Sequence, residues 1–242
     1  MSALPRNRWL ILGAEGAAII VSILLAFAID AWWDQRGERR QEAALLQGLH
    51  ADFQASQVHL ERWLAGNRLV EDAISELLDN LRMADGGAPV TVSGRLILGA
   101  LSSPTYSPTD STLRAAMSSG KIELISSHDL RKELAAWDQL LADTSEDELI
   151  IRQILTQRLV PVLSTQLRLG YLLDFAPIVG FFMGESHPVI EQSFELRTDS
   201  ELEAAVAQRL FHTRFVVQGL EDLHESQQRI LRMLEPDSRV SL

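Results

Sequence analysis

Glu15 is the first residue whose setting demands a chemical account, because it is a carboxylate inside a long apolar run, residues 9–29 (WLILGAEGAAIIVSILLAFAI). In hydrocarbon such a group costs on the order of 2–3 kcal/mol, so it is protonated, paired, or snorkelling toward an interface about 9 Å away at Trp9. Glu221-x-x-His224 is half of a carboxylate-bridged di-metal signature, and the chain carries no second copy. The solvated face of a helix accounts for it better. The acidic stretch 143–148 offers oxygens to a divalent cation, although acids in the first turn of a helix explain it more simply. Residues 102–112 are rich in hydroxyls and include Tyr106, but no base stands beside them at a readable spacing; the competing reading is a turn that caps the next helix. Gly-x-Gly-x-x-Gly, phosphate loops, Gly-x-Ser-x-Gly and His-Glu-x-x-His are all missing. The chain therefore reads as a non-enzyme with no cofactor and no metal.

Composition narrows the partners. The 242 residues hold 22 basic and 33 acidic side chains; from position 30 onward the balance is −12. So acidic a surface repels polynucleotides and anionic headgroups. There is no cysteine, which excludes disulfides and thiolate chemistry.

The elements that would position these residues begin with residues 9–29. Their length, roughly 31 Å as a helix, matches a hydrocarbon core of about 30 Å. Trp9 and Trp32-Trp33 suit the two interfaces, with Arg6, Arg8 and Arg36 flanking. Ala26-Phe27-Ala28 also fits a signal-peptide cleavage site, but the overlong stretch, its acid and the tryptophans beyond the cut favour a retained anchor. Ala14, Ala18, Ser22 and Ala26 recur every fourth residue beside Glu15, a candidate helix-packing face.

Two blocks carry a family resemblance. Glu15, Ser22-Ile23-Leu24-Leu25-Ala26, Ile29-Asp30, Trp32 and Arg36 resemble an anchor signature of the form GEIxLVxxGILIALxIxxWNExR. Pro108-Thr109, Leu113, Ser118-Ser119-Gly120-Lys121-Ile122-Glu123-Leu124-Ile125 and Leu130-Arg131 are similar to a stretch of the form Leu-x-x-SSGKLELI-x-x-x-x-LR. Both belong to a widespread bacterial family of single-span membrane proteins of unknown function. The chain departs from it where Ala14 and Ser22 replace glycines and Trp33-Asp34 replaces Asn-Glu. The resemblance implies a location and a shape, but no activity. Flanking charges nearly tie in the positive-inside comparison; the family's basic N-terminal tails imply an inside N-terminus and a periplasmic domain on the bacterial inner membrane.

Beyond the anchor, the periodicity predicts an all-α chain: an elongated bundle with three long helices and short connecting ones. The expected divisions are a tail at 1–8, a transmembrane helix at 9–29, a juxtamembrane segment at 30–40, a bundle at 41–235 and a tail at 236–242. The first long helix, 41–82, carries an apolar stripe from Leu45 to Leu81 broken only by Ser56 and Asn67, with Asp85-Gly86-Gly87 as its stop. It either runs on from the anchor or relaxes at Gly37. A short helix around Leu96-Ile97-Leu98, another capped by Asp110-Ser111-Thr112 and an extended 121–125 come next. A second long helix starts at Ser126-Ser127, with an interruption expected near the acidic stretch, a restart at Ser145-x-x-Glu148 and a bend at Pro161. The last begins at Thr198-x-x-Glu201 and runs to about residue 235, with Leu202, Val206, Leu210, Val217, Leu220, Leu223, Ile230 and Leu234 inward.

Residues 171–183 (YLLDFAPIVGFFM) are too short to span a membrane and too apolar for an ordinary connection. Two readings follow: a plug at one end of the bundle, or a contact patch of Phe181, Phe182 and Met183 meeting the membrane or a partner, which a second helix returning to the bilayer would favour. The function expected is that of a membrane-anchored interaction or scaffold protein that binds the bilayer and either homo-oligomerises or holds a membrane partner. The alternative is a ligand-binding sensory bundle lacking its own effector, since a tail of eight residues holds none.

Overall fold

The structure is a computed structural model that describes residues 6–84, 88–170, 172, 175–185 and 187–235, without side chains for residues 6–18, 175 and 176. The architecture is helical. Helix α1, Arg6–Met83, is one unbroken run of 78 residues, about 117 Å long. It passes Gly37 without a break, so the apolar stretch, residues 30–40 and the first bundle helix form a single rod. Its expected stop at residues 85–87 lies outside the described residues.

Strand β1, Pro89–Ser93, leads into α2, Gly94–Leu101, and a loop delivers the chain to α3, Ser111–Ser118. After Gly120, whose φ of +72° suits only glycine, residues Lys121–Leu124 form a 3₁₀ turn rather than the extended segment that the sequence predicts. Helix α4, His128–Ile154, is capped by Ser127, whose hydroxyl accepts the Leu130 N–H. The acidic stretch does not interrupt it. Ser145 bonds back to the Leu141 carbonyl at 2.7 Å instead of capping a new start. A wide π turn, Leu155–Leu159, joins α4 to α5, Val160–Ser164. Pro161 explains the widening: its ring would collide with the Gln157 carbonyl in a regular helix.

Helices α6, Phe175–Phe182, and α7, Pro188–Glu191, precede strand β2, Ser193–Arg197. Strand β2 pairs antiparallel with β1, from Pro89 opposite Arg197 to Ser93 opposite Ser193. This small sheet departs from the purely helical expectation. Val92, Phe194 and Leu196 point into the core from it. Helix α8, Ser200–Leu234, starts two residues after Thr198, and Asp199 is its cap through the Leu202 N–H at 2.7 Å.

Three long helices make the frame. Arg82 meets Glu203, Glu71 meets Arg214, Arg68 meets Glu221 and the Phe53 carbonyl accepts from Gln227, so α8 runs antiparallel to α1. Asp147 faces His212 and Glu133 bonds Ser226, so α4 is antiparallel to α8 and parallel to α1. Helix α4 therefore starts at the end of the bundle nearest the apolar stretch of α1, where Ser126 bonds Glu42, and does not return the chain toward it.

Apolar side chains gather in two clusters bridged by Trp63. The near cluster joins Leu46, Leu49, Phe53, Leu60, Trp137, Leu220 and Ile230; the far one joins Val70, Ile74, Leu77, Leu96, Leu163 and Val206. All eight inward positions expected of α8 are buried. The two polar breaks in the α1 stripe are buried as well. Ser56 trades two hydrogen bonds with the Thr109 backbone, and Asn67 donates to the Trp63 carbonyl.

Candidate functional site

The loop at 102–112 lies across α1, α4 and α8, and each helix contributes a polar group to hold it. Arg209 of α8 donates to the Ser102 carbonyl. Glu148 of α4 accepts the Tyr106 N–H at 2.9 Å, and Arg152 donates to the Thr105 hydroxyl. From α1, Ser56 holds Thr109, and Asp52 accepts the Thr112 N–H at 2.8 Å. Asp52 thus supplies the cap for α3 that the sequence assigns to residues 110–112. The Asp110 carboxylate turns to Arg114 instead. Where the loop is buried, at Ser102, Tyr106 and Asp110, it needs such partners, because each unsatisfied buried group would cost about 1–3 kcal/mol. Of its hydroxyls, those of Ser102, Thr105 and Ser111 bond to the Leu98 carbonyl, Arg152 and Asp52, while the buried Tyr106 hydroxyl has no hydrogen-bond partner among the described residues. Tyr106 is buried, and burial first, then the charge of Asp110, push its pKa up, away from use as a base.

Beneath the loop sit two ionisable groups that α4 and α8 bury almost completely. Glu148 is 3% exposed. Its pKa rises to about 7 because burial outweighs the Tyr106 N–H and the charge of Arg152. Arg209 is 1% exposed and meets the Thr213 hydroxyl and the Ser102 carbonyl, with no carboxylate hydrogen-bonded to it among the described residues. Burial alone pushes its pKa down. The sequence marks Glu148 only as part of a capping box and an acidic stretch, and it does not single out Arg209, although a signal is there. Arg209 and Thr213 stand at helical spacing between Val206 and Val217, a polar break in an apolar stripe like Ser56 and Asn67.

The remaining candidates disperse. Glu221 pairs with Arg68, and the His224 ring faces Glu61 at 3.6 Å, so both residues of the half-signature for a di-metal site are turned to α1. Asp143 accepts from Gln139, and Asp147 lies 3.1 Å from the His212 ring. Among the described residues no three His, Asp or Glu side chains converge to hold a metal ion.

Phe181 and Phe182 are buried, at 5% and 6% exposure. Phe182 stands edge-on to Trp63 with ring centroids 5.5 Å apart, and Phe181 belongs to the far cluster beside Gly99. A surface patch made of Phe181, Phe182 and Met183 is not what the fold presents; only Met183 keeps partial exposure. The reason is topological. Helix α4 leads away from the anchor stretch, so α6 closes the far end of the bundle.

Of the expected packing face, the side chains of Ala14, Glu15 and Ala18 lie outside the described residues, while Ser22 and Ala26 are exposed. Above them, Ile19, Ile20, Leu24, Leu25, Phe27, Trp32 and Trp33 are all about half exposed or more, on every side of α1. Among the described residues no helix is long and apolar enough to cross a membrane. Where α1 enters the bundle, a hollow of about 590 Å³ lies between Arg39, Glu42, Leu46, Ile125, Leu130 and Met233. No family model, no curated protein and no solved structure matches the chain.

Proposed function

We propose that this chain is a non-enzymatic, membrane-anchored helical protein that acts through contacts with other proteins at the bilayer. One observation carries the reading. Residues 19–33 of α1 hold ten large apolar side chains that no other described residue covers, Phe27 at 67% and Leu24 at 62% exposure among them. A helix apolar all round is at home in a core or in lipid, and the bundle core begins only at Leu46. The stretch continues downward through residues 9–18, and tryptophans and arginines flank it as they flank membrane spans. The resemblance of its residues to single-span bacterial anchors supports the same reading, with the bundle on the periplasmic side.

Two features favour interaction over catalysis. Glu148 and Arg209 each hold the 102–112 loop through one side-chain atom, and the long rod of α1 would carry the bundle out from the bilayer. Membrane fractions washed with carbonate at high pH should retain the full chain, and crosslinking in native membranes should capture a stoichiometric protein partner or a second copy. Release by carbonate would remove the anchor from the reading. A second reading, a ligand-binding sensory bundle, is favoured only by the hollow beside Glu42 and Ile125. A small molecule retained by natively purified protein, and lost on Leu46→Trp, would select it.

A further inference from the structure

The juxtamembrane part of α1 separates its charges onto two columns. Arg36 and Arg40 stand one turn apart on one side; Asp30, Asp34 and Glu38 follow at the same spacing on another. No residue three or four positions from Arg36 or Arg40 is acidic, and none at those distances from Asp30, Asp34 or Glu38 is basic. The helix cannot pair these charges with each other, and like charges one turn apart repel. No salt bridge joins any of the five to another described residue; Arg36 instead stacks over Trp32 at 5.5 Å.

Between the columns lies a third strip. At 100° per residue, Ala26, Trp33, Gly37 and Ala44 fall within about 40° of one another, with the arginines on one flank and Asp30 and Asp34 on the other. This strip points roughly opposite to Leu46, Leu49 and Phe53, the α1 residues that enter the bundle core. Gly37 costs a helix about 1 kcal/mol relative to alanine, yet a Cβ placed there would meet nothing within 4 Å. Nothing among the described residues calls for that glycine.

From this arrangement we infer that α1 pairs in parallel with the α1 of a second copy along the Ala26, Trp33, Gly37 and Ala44 strip, with Arg36 and Arg40 of each copy facing Asp30 and Asp34 of the other. The inference rests on the anchored reading, since two chains held in one bilayer must run parallel. A two-fold axis along the helices brings the basic flank of each onto the acidic flank of its mate, so both sets of contacts form together. Most of each bundle lies on the other side of its α1, and α3, whose Thr112 abuts Gly48, sets the upper end of the paired stretch. Gly37 leaves a hollow one turn above Trp33 that a facing side chain can enter. An anionic lipid would satisfy the arginines but not the acidic column; a second copy satisfies both.

The test co-expresses two differently tagged full-length chains and measures their mutual capture from membranes. Arg36→Glu with Arg40→Glu in both copies should lower capture about ten-fold, and Asp30→Arg with Asp34→Arg in both should do the same. One copy carrying each pair of reversals should restore capture to within about two-fold of the wild type. The chain has no cysteine, so Ala44→Cys should form an intermolecular disulfide under mild oxidation while Gln35→Cys, on the bundle side, should not. Unchanged capture in either single reversal, failure of the mixed pair to recover, or equal crosslinking of the two cysteine variants would each overturn the inference. Loss with the arginine reversals alone would overturn it too, pointing to acidic lipid instead. Carbonate resistance, read on the same membranes, reports the anchor separately. An unchanged bundle melting temperature shows that each variant folds.

Discussion

At the scale of single residues, the unusual energetics belong to the two charges beneath the 102–112 loop. Glu148 has an ordinary pKa of 4.5, raised to about 7 by burial, so the folded protein holds a proton that the unfolded chain has released. Stability should therefore be greatest below about pH 4.5 with respect to this group, and decline as pH rises through about 7, by on the order of 3 kcal/mol. Glu148→Gln keeps an acceptor for the Tyr106 N–H without the charge. Denaturant melts of wild type and variant across pH 4 to 8 should diverge, with the variant more stable at the alkaline end. Parallel curves would mean that Glu148 is solvated. Glu133 shows the opposite balance: burial works against its charge, but hydrogen bonds from Arg229 and Ser226, aided by the charges of Arg229 and Lys132, hold its pKa below the usual value. Arg209→Ala should cost about 3 kcal/mol, because it opens a cavity and leaves the Ser102 carbonyl without its donor. Arg209→Met, which refills the volume, should recover about half of that in the same melts.

At the scale of elements, the α4–α8 contact depends on one missing side chain. A Cβ at Gly219 would stand 2.4 Å from the Thr144 hydroxyl, which itself bonds to the Leu140 carbonyl. Gly219→Ala should push the helices apart at a cost of about 1–3 kcal/mol, even though alanine is the better helix former. Thr144→Ala in the same chain should return most of the loss, and an additive double mutant would show that the two positions do not touch. The far end offers a second check. Phe181→Ser with Phe182→Ser should lower stability by several kcal/mol in thermal melts, through lost burial and the cavities left beside Trp63 and Gly99. The same pair should leave membrane association unchanged, because neither ring reaches the surface.

At the scale of the whole molecule, α1 does two jobs along one rod. From Leu46 to Leu81 it supplies one wall of both apolar clusters; from Ile19 to Arg40 it contributes no core residue. A fragment of residues 41–235 should consequently fold in aqueous buffer and melt within about 3 °C of the full chain in detergent, since it keeps every described buried contact. A molten or aggregated fragment would show that the lower part of α1 supports the bundle in a way that the fold does not reveal. Because α1 is unbroken at Gly37, a pull or twist on the lower stretch passes straight into the bundle wall.

Periodicity alone located the three long helices, because each repeats an apolar residue every three or four positions for many turns, and a 3.6-residue helix is the conformation that puts such a pattern on one side. It also marks the eight inward residues of α8 and shows Ser56 and Asn67 as polar breaks in the α1 stripe; that both find partners inside the protein is decided by the packing. The separation of Arg36 and Arg40 from Asp30, Asp34 and Glu38 is equally present in the chain once a helix is assumed. Other features depend on residues far apart in sequence, and no local rule reaches them. Strands β1 and β2 pair across about a hundred residues, so neither five-residue segment announces a sheet by itself. The cap on α3 is Asp52, some sixty positions upstream, in place of the nearby Asp110. The direction of α4 decided the fate of Phe181 and Phe182: a helix parallel to α1 carries the chain to the far end, where the rings close the core. The burial of Glu148 and Arg209 was likewise settled only when two antiparallel helices and a loop met around them, because desolvation belongs to the packed molecule and not to either residue.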